Sequence, residues 1–176
     1  MHKDERLLIC LLAAKEGDDV RLTELIRTLQ PRVWSLCSVL GAPADPADLA
    51  QETFLRMIRA MPGFRGESSV ETWVLSIARK VCADQVRSFG RRRRLLDRLK
   101  AFSVEAVTLS PERTIVEEMV MATSPEFREE FVMTQILGLT YAEAAEIVGC
   151  PVGTIRSRVA RAREDLMEMH LRSEAM

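Results

Sequence analysis

Four arginines, Arg156, Arg158, Arg161 and Arg163, fall between Pro151 and Arg163 with no acid among them. Guanidinium groups in such a run donate bidentate hydrogen bonds to phosphate oxygens and to the guanine edge. Val152, Ile155, Val159, Ala162 and Leu166 are threaded through them at intervals of three and four. That period predicts one helix with a buried stripe. At about 100° per residue, Thr154, Ser157, Arg158 and Arg161 share one outward flank, and Arg156 and Arg163 lie on the other. A helix of this kind fits the major groove of duplex DNA. By itself the arginine flank also describes a solvated face.

Other reactive side chains suggest less. Asp45, Asp48 and Glu52 could ligate a metal in a nucleic-acid enzyme, but no converging partners stand out. Cys10, Cys37, Cys82 and Cys150 match no zinc spacing. Set among apolar neighbours, they are expected as small reduced core residues. His2 and His170 lie near the two ends, which gives a nucleophilic triad little to stand on. There is no phosphate-binding glycine loop. The expectation is a protein with no catalytic group, metal or cofactor.

The elements around the arginine helix sharpen its reading. TYAEAAEIVGCPVGTI places a short helix, a turn and the arginine helix in helix-turn-helix spacing. Thr140 with Glu143 predicts a capping box. Ala144 and Ala145 are small where two helices approach, and Gly149 suits a left-handed cap. Together these favour duplex DNA, without choosing between repressor, activator and polymerase subunit.

The first half is also helical. One helix is expected over Asp4 to Lys15, and another after Asp18. Pro31 should break that second helix or open a new turn, with Val33, Trp34 and Cys37 continuing an apolar face to Gly41. A third helix runs from Pro46 to Met61 with Asp45 as N-cap. Its inward face is Leu49, Phe54, Met57, Ile58 and Met61. Its other side presents Asp48, Gln51, Glu52, Leu55 and Arg59, an apolar anchor in a polar rim that suits a protein interface. The loop FRGESS leads to a fourth helix from Ser69 to Gly90. Trp73, Val74, Ile77 and Val81 form its buried side; Ser76, Arg79, Lys80, Ala83 and Arg87 form a basic outer face. Phe64, Arg65, Ser68 and Ser69 have the chemistry to stack a base and grip single-stranded phosphate. Phe64 could equally plug the core. Residues 91–110 are expected as an interdomain linker; the four arginines that open it could touch backbone phosphate, or simply be soluble linker or a fraying helix end. Further helices are expected over Pro111 to Ala122 and from Ser124 to Gly138. The fold class is all-α: two small helical domains joined by a flexible linker, with boundaries 1–90, 91–110 and 111–176.

The formal net charge is −1 over 176 residues, so no partner follows from global charge. No apolar run approaches the ~20 residues of a membrane span. The N-terminus does not resemble a secretory signal, which predicts a cytoplasmic protein without membrane insertion.

ADLAQETFLR, FRGESSVETWVLSIARKVCADQVR and GLTYAEAAEIVGCPVGTIRSRVARARE, in this order and spacing, resemble a bacterial RNA polymerase sigma factor of the extracytoplasmic-function class. The resemblance covers about Asp18 to Leu166. It implies a factor that binds core RNA polymerase and directs promoter-specific transcription initiation. Asp48, Gln51, Glu52, Leu55 and Arg56 match the element that docks on the polymerase clamp helices. The FRGESS loop and Trp73 helix match the part that recognises and melts the minus-ten element; Phe64, Arg65, Ser68, Ser69, Arg79, Lys80 and Arg87 are its candidate DNA contacts. Thr154, Arg156, Ser157, Arg158 and Arg161 match the minus-35 reading helix. The resemblance also implies an anti-sigma partner, which no residue names. The chain is expected to be monomeric when free, with its two domains able to pack together and hide both basic surfaces. SPEFREEFVMTQILG departs from the usual family pattern. A conventional helix-turn-helix regulator remains the rival, and it predicts a stable dimer on palindromic DNA.

Overall fold

A computed structural model of the chain describes residues 3–41, 43–99, 120 and 123–174. Among these residues it has seven α-helices and no strand. Helix α1 spans Lys3–Lys15. Gly17, at φ 93°, turns the chain in the left-handed region that side chains with a Cβ avoid. Helix α2 spans Asp19–Leu40; the Asp18 carboxylate accepts the Arg21 N–H at 3.0 Å, satisfying one of its orphan donors. Helix α3 spans Pro46–Ala60, with Asp45 accepting Ala47 N–H at 2.8 Å and Pro46 opening the first turn. A single 3₁₀ turn, Met61–Gly63, follows. Helix α4 spans Val70–Leu99.

These four helices close around Leu7, Leu11, Leu25, Leu29, Leu36, Met57, Val74 and Leu75, all essentially inaccessible. Burial of each such side chain contributes about 1.5–3 kcal/mol, so the helices hold one another although none carries much intrinsic stability.

In the second half, α5 spans Pro125–Phe131 and continues into a π turn over Val132–Ile136. Leu137 N–H reaches Val132 O at 2.9 Å, five residues back. The widened turn delivers Leu137 and Leu139 to the core. Helix α6 spans Tyr141–Val148 and α7 spans Val152–Glu174. Val132, Met133, Ala144, Ile147, Ile155 and Val159 form their core, continuous with that of the first half. Helix α6 packs on α4, and the π turn packs on α2. Arg32 donates to Leu137 O at 2.5 Å across this boundary, and Arg79 pairs with Glu129.

Several expectations change. Pro31 sits inside an unbroken α2. The proline lies on the exposed side of the helix, while Leu29, Val33 and Leu36 hold it to the core before and after that point. Trp34 is 42% exposed and does not join the Val33 and Cys37 face; the step of about 100° from Val33 carries it off the stripe. Ile58 is likewise exposed, as is Val152 at the mouth of α7, while Trp73 and Ile77 are half-buried. Helix α4 runs nine residues past Gly90, through the arginine run where a linker was expected. Arginine and leucine are strong helix formers, and one interior glycine costs only about 1 kcal/mol. The rest of the expected linker and the expected helix over 111–122, Val120 apart, lie outside the described residues.

Candidate functional site

The second half builds a helix-turn-helix from local rules. Thr140 Oγ1 accepts Glu143 N–H at 3.2 Å, and Glu143 Oε2 accepts Thr140 N–H at 2.7 Å, closing the expected capping box. Gly149 adopts φ 77° and donates to Ala145 O at 2.8 Å, and Cys150 N–H shares that carbonyl at 3.1 Å. The chain thereby reverses within three residues, and Thr154 N–H bonded to Pro151 O at 2.9 Å starts α7. Ile155, Val159 and Ala162 are buried as their spacing predicts, and Ala144 and Ala145 sit in the close approach.

The candidate reading residues do not form one uniform flank. Arg156, Ser157 and Arg161 are exposed, and Thr154 is half-buried. The Arg161 guanidinium carbon lies over the Phe127 ring of α5, 5.8 Å from its centroid. Arg158 turns inward: its Nη1 donates to Glu130 Oε1 at 2.6 Å, and that glutamate is 0% exposed. Arg163 donates to Gln135 at 2.6 Å. A cleft of about 430 Å³ opens between Phe127 and the Ser157–Arg161 edge.

On the first half, the FRGESS loop is tied to the core. The Phe64 ring meets Trp73 at 4.9 Å between centroids with a 53° tilt, and Lys15 Nζ donates to Phe64 O at 3.2 Å. Phe64 thus plugs the bundle's end. Ser69 Oγ accepts Thr72 N–H at 3.1 Å and caps α4. Arg65 is exposed and Ser68 half-buried, beside Gly66 at φ 75°. On α4, Lys80 and Arg87 are exposed, whereas Arg79 is engaged by Glu129 of α5. Arg87 donates to Asp84 at 2.6 Å.

The outer side of α3 presents Asp48, Gln51 and Leu55, the last 42% exposed. Arg56 bonds Glu52 at 2.7 Å and Asp84 of α4 at 2.7 Å. Hydrogen bonds from Arg56, then from Arg87, hold the Asp84 carboxyl below its usual range. A cleft of about 430 Å³ between α3 and α4 is lined by Asp48, Glu52, Arg56, Gln85 and Ser88 among others. Among the described residues, no three His, Cys, Asp or Glu side chains gather as a metal site, and no helix is long and apolar enough to cross a membrane. Asp45 is a helix cap and Glu52 an ion-pair partner.

The extracytoplasmic-function (ECF) RNA polymerase sigma factor SigC of Mycobacterium tuberculosis is 40% identical over 178 residues, covering 93% of this chain and 91% of its own length. The chain belongs to the ECF class of the sigma-70 family. Within this sigma factor, Sigma-70 region 2 matches residues 25–94 and Sigma-70 region 4 matches residues 114–166. The sigma factor directs promoter-specific transcription initiation by RNA polymerase. Its fold is similar to two solved structures. CnrH, in complex with the cytosolic domain of CnrY, aligns at TM-score 0.72 and 23% identity over 95% of this chain and 97% of that one. The sigma factor RpoE of Bartonella quintana, in complex with the anti-sigma factor NepR, aligns at TM-score 0.66 and 28% identity over 83% and 93%.

Two residues of the sigma factor escaped sequence reasoning: Glu129 and Glu130, each holding an arginine of one candidate DNA surface. A signal existed. Glu130 falls three residues after Phe127 and three before Met133, inside an apolar phase where a lone acid needs a partner.

Proposed function

We propose that the sigma factor divides its work at the boundary between the two halves, with 1–90 serving polymerase docking and minus-ten melting, and 111–176 serving the minus-35 element. Asp48, Gln51, Glu52, Leu55 and Arg56 form the polymerase-docking face. Leu55, exposed within a polar rim on a rigid helix, is the observation that carries this assignment. Arg65, Ser68, Lys80, Arg87 and, once released from Glu129, Arg79 contact the minus-ten strand. Phe64 and Ser69 support that loop from inside, as core plug and helix cap. The chain works in the cytoplasm as a non-enzymatic initiation factor, making and breaking no bond.

The packing of α6 on α4 supports a closed free state in which neither DNA surface is fully available. Polymerase docking separates the halves and holds them at promoter spacing, so that two weak contacts act at a high effective concentration. An anti-sigma factor that competes for these surfaces fits the same arrangement; the similar sigma factor RpoE is itself solved in complex with an anti-sigma factor, NepR.

Reconstitution with core RNA polymerase on a promoter library, with transcript starts mapped, tests the reading. The expected result is a set of starts sharing two short elements at fixed separation. Palindromic sites bound by a dimer without polymerase would instead select a conventional repressor.

A further inference from the structure

We propose that Arg158 is a positioning residue of the reading helix and not one of its base-reading groups, an assignment that rests on the minus-35 role of α7. Its guanidinium Nη1 stands 2.6 Å from Glu130 Oε1. The glutamate side chain keeps 1% of its accessible surface, while that of Arg158 keeps 41%. The second carboxylate oxygen, Glu130 Oε2, is buried with no hydrogen-bond partner among the described residues. Arg158 is therefore the cation that compensates a buried charge. If the arginine swung out to a base edge, that carboxylate would be stranded away from water. The penalty for an unpaired buried carboxylate exceeds the gain from one base contact.

The geometry gives the pair a mechanical role. Glu130 lies on α5 and Arg158 on α7, so the bond joins the reading helix to its support on the side where Phe127 also underlies Arg161. Arg161 lies over that ring with its guanidinium carbon 5.8 Å from the centroid, and it is exposed, so its N–H groups can still reach DNA. Arg156 and Ser157 are exposed. Reading therefore falls to Arg156, Ser157 and Arg161, held at a fixed angle by the buried pair.

The test uses the full chain with core polymerase on promoters carrying each minus-35 base change. Arg158→Met alone is expected to weaken all of them by the same factor, on the order of tenfold or more. Arg158→Met combined with Glu130→Met removes both charges, and it is expected to return within about threefold of the parent with an unchanged base preference. The slope of log affinity against log salt stays at the parental value in the double variant. Three results overturn the proposal: a double variant as weak as the single one with relaxed preference at one base pair; a salt slope smaller by about one unit, which marks a phosphate contact; or a single variant equal to the parent. If Arg158→Met alone does not fold, the double variant decides on the same terms, and a double variant that does not fold also overturns the proposal. Failure of the minus-35 reading itself shows differently: the parent chain would fail to distinguish the minus-35 changes.

Discussion

Nη2 of Arg79, in the middle of α4, stands 3.2 Å from Oε2 of Glu129 on α5, fifty residues further along the chain. This contact crosses between the two halves, and it occupies an arginine proposed above as a minus-ten contact. Both side chains keep roughly a quarter of their accessible surface. Such a pair contributes at most about 1 kcal/mol, enough to bias a closed state without locking it.

Glu129→Gln is therefore expected to raise the affinity of the free chain for a single-stranded minus-ten oligonucleotide by up to about fivefold. Fluorescence anisotropy at low salt measures it. Equal affinities for parent and variant would mean that the contact does not restrain the surface.

Glu52→Ala with Leu55→Ala should remove core-polymerase pull-down while circular dichroism stays unchanged. In the proposed docking face the exposed leucine is the anchor, and a loss on the order of 2 kcal/mol suits a central interface residue. Retained pull-down would place the docking face elsewhere.

The Arg56–Asp84 bond ties α3 to α4 and predicts an acid response. The carboxyl of Asp84 is held below its ordinary value in the folded chain, first by Arg56 and then by Arg87. A depressed folded value stabilises the fold above the unfolded value and is lost as pH falls through the folded one. The melting-temperature advantage of the parent over Asp84→Asn should therefore shrink as pH drops below about 4. A constant difference from neutral pH to pH 2 would show that the ion pair adds nothing.

Gly41 closes α2 with its N–H bonded to Cys37 O at 2.9 Å. A Cβ placed there would stand 2.7 Å from that carbonyl and overlap the Leu49 side chain. Gly41→Ala is expected to destabilise the first half by about 1–3 kcal/mol, read as a lower denaturation midpoint with unchanged slope. An unchanged midpoint would mean that α3 shifts away freely.

The buried thiols Cys37 and Cys82 approach to 3.8 Å between α2 and α4. The hydrogen bond with Cys37, and then burial, push Cys82 far above an ordinary thiol. In native buffer an alkylating reagent should label Cys150, which is half-buried, well before Cys10, Cys37 or Cys82. Rapid native labelling of Cys82 would place it at the surface instead.

Local rules made much of this chain readable from sequence. The Thr140–Glu143 capping box, the Gly149 turn, the Asp45 cap and the Ile155, Val159, Ala162 stripe each depend on residues within a few positions of one another. Caps, turns and helical periods are short-range physics, so the reading head and the outward face of α3 were legible before any fold. Arg79 and Arg158 were placed on the right helices, but their partners were not visible. A helical wheel gives the direction of a side chain and not what stands opposite it. Glu129 reaches α4 and Glu130 reaches α7 only because the widened turn after α5 and the packing of α6 on α4 bring four separate segments together. The same reasoning explains Pro31 and the arginines after Gly90: whether a helix stops at a weak point depends on what packs beside it. Sequence thus determined the elements and their chemistry, while tertiary structure decided which arginines stay exposed and which face a carboxylate, because ion pairing is set by distances that only packing creates.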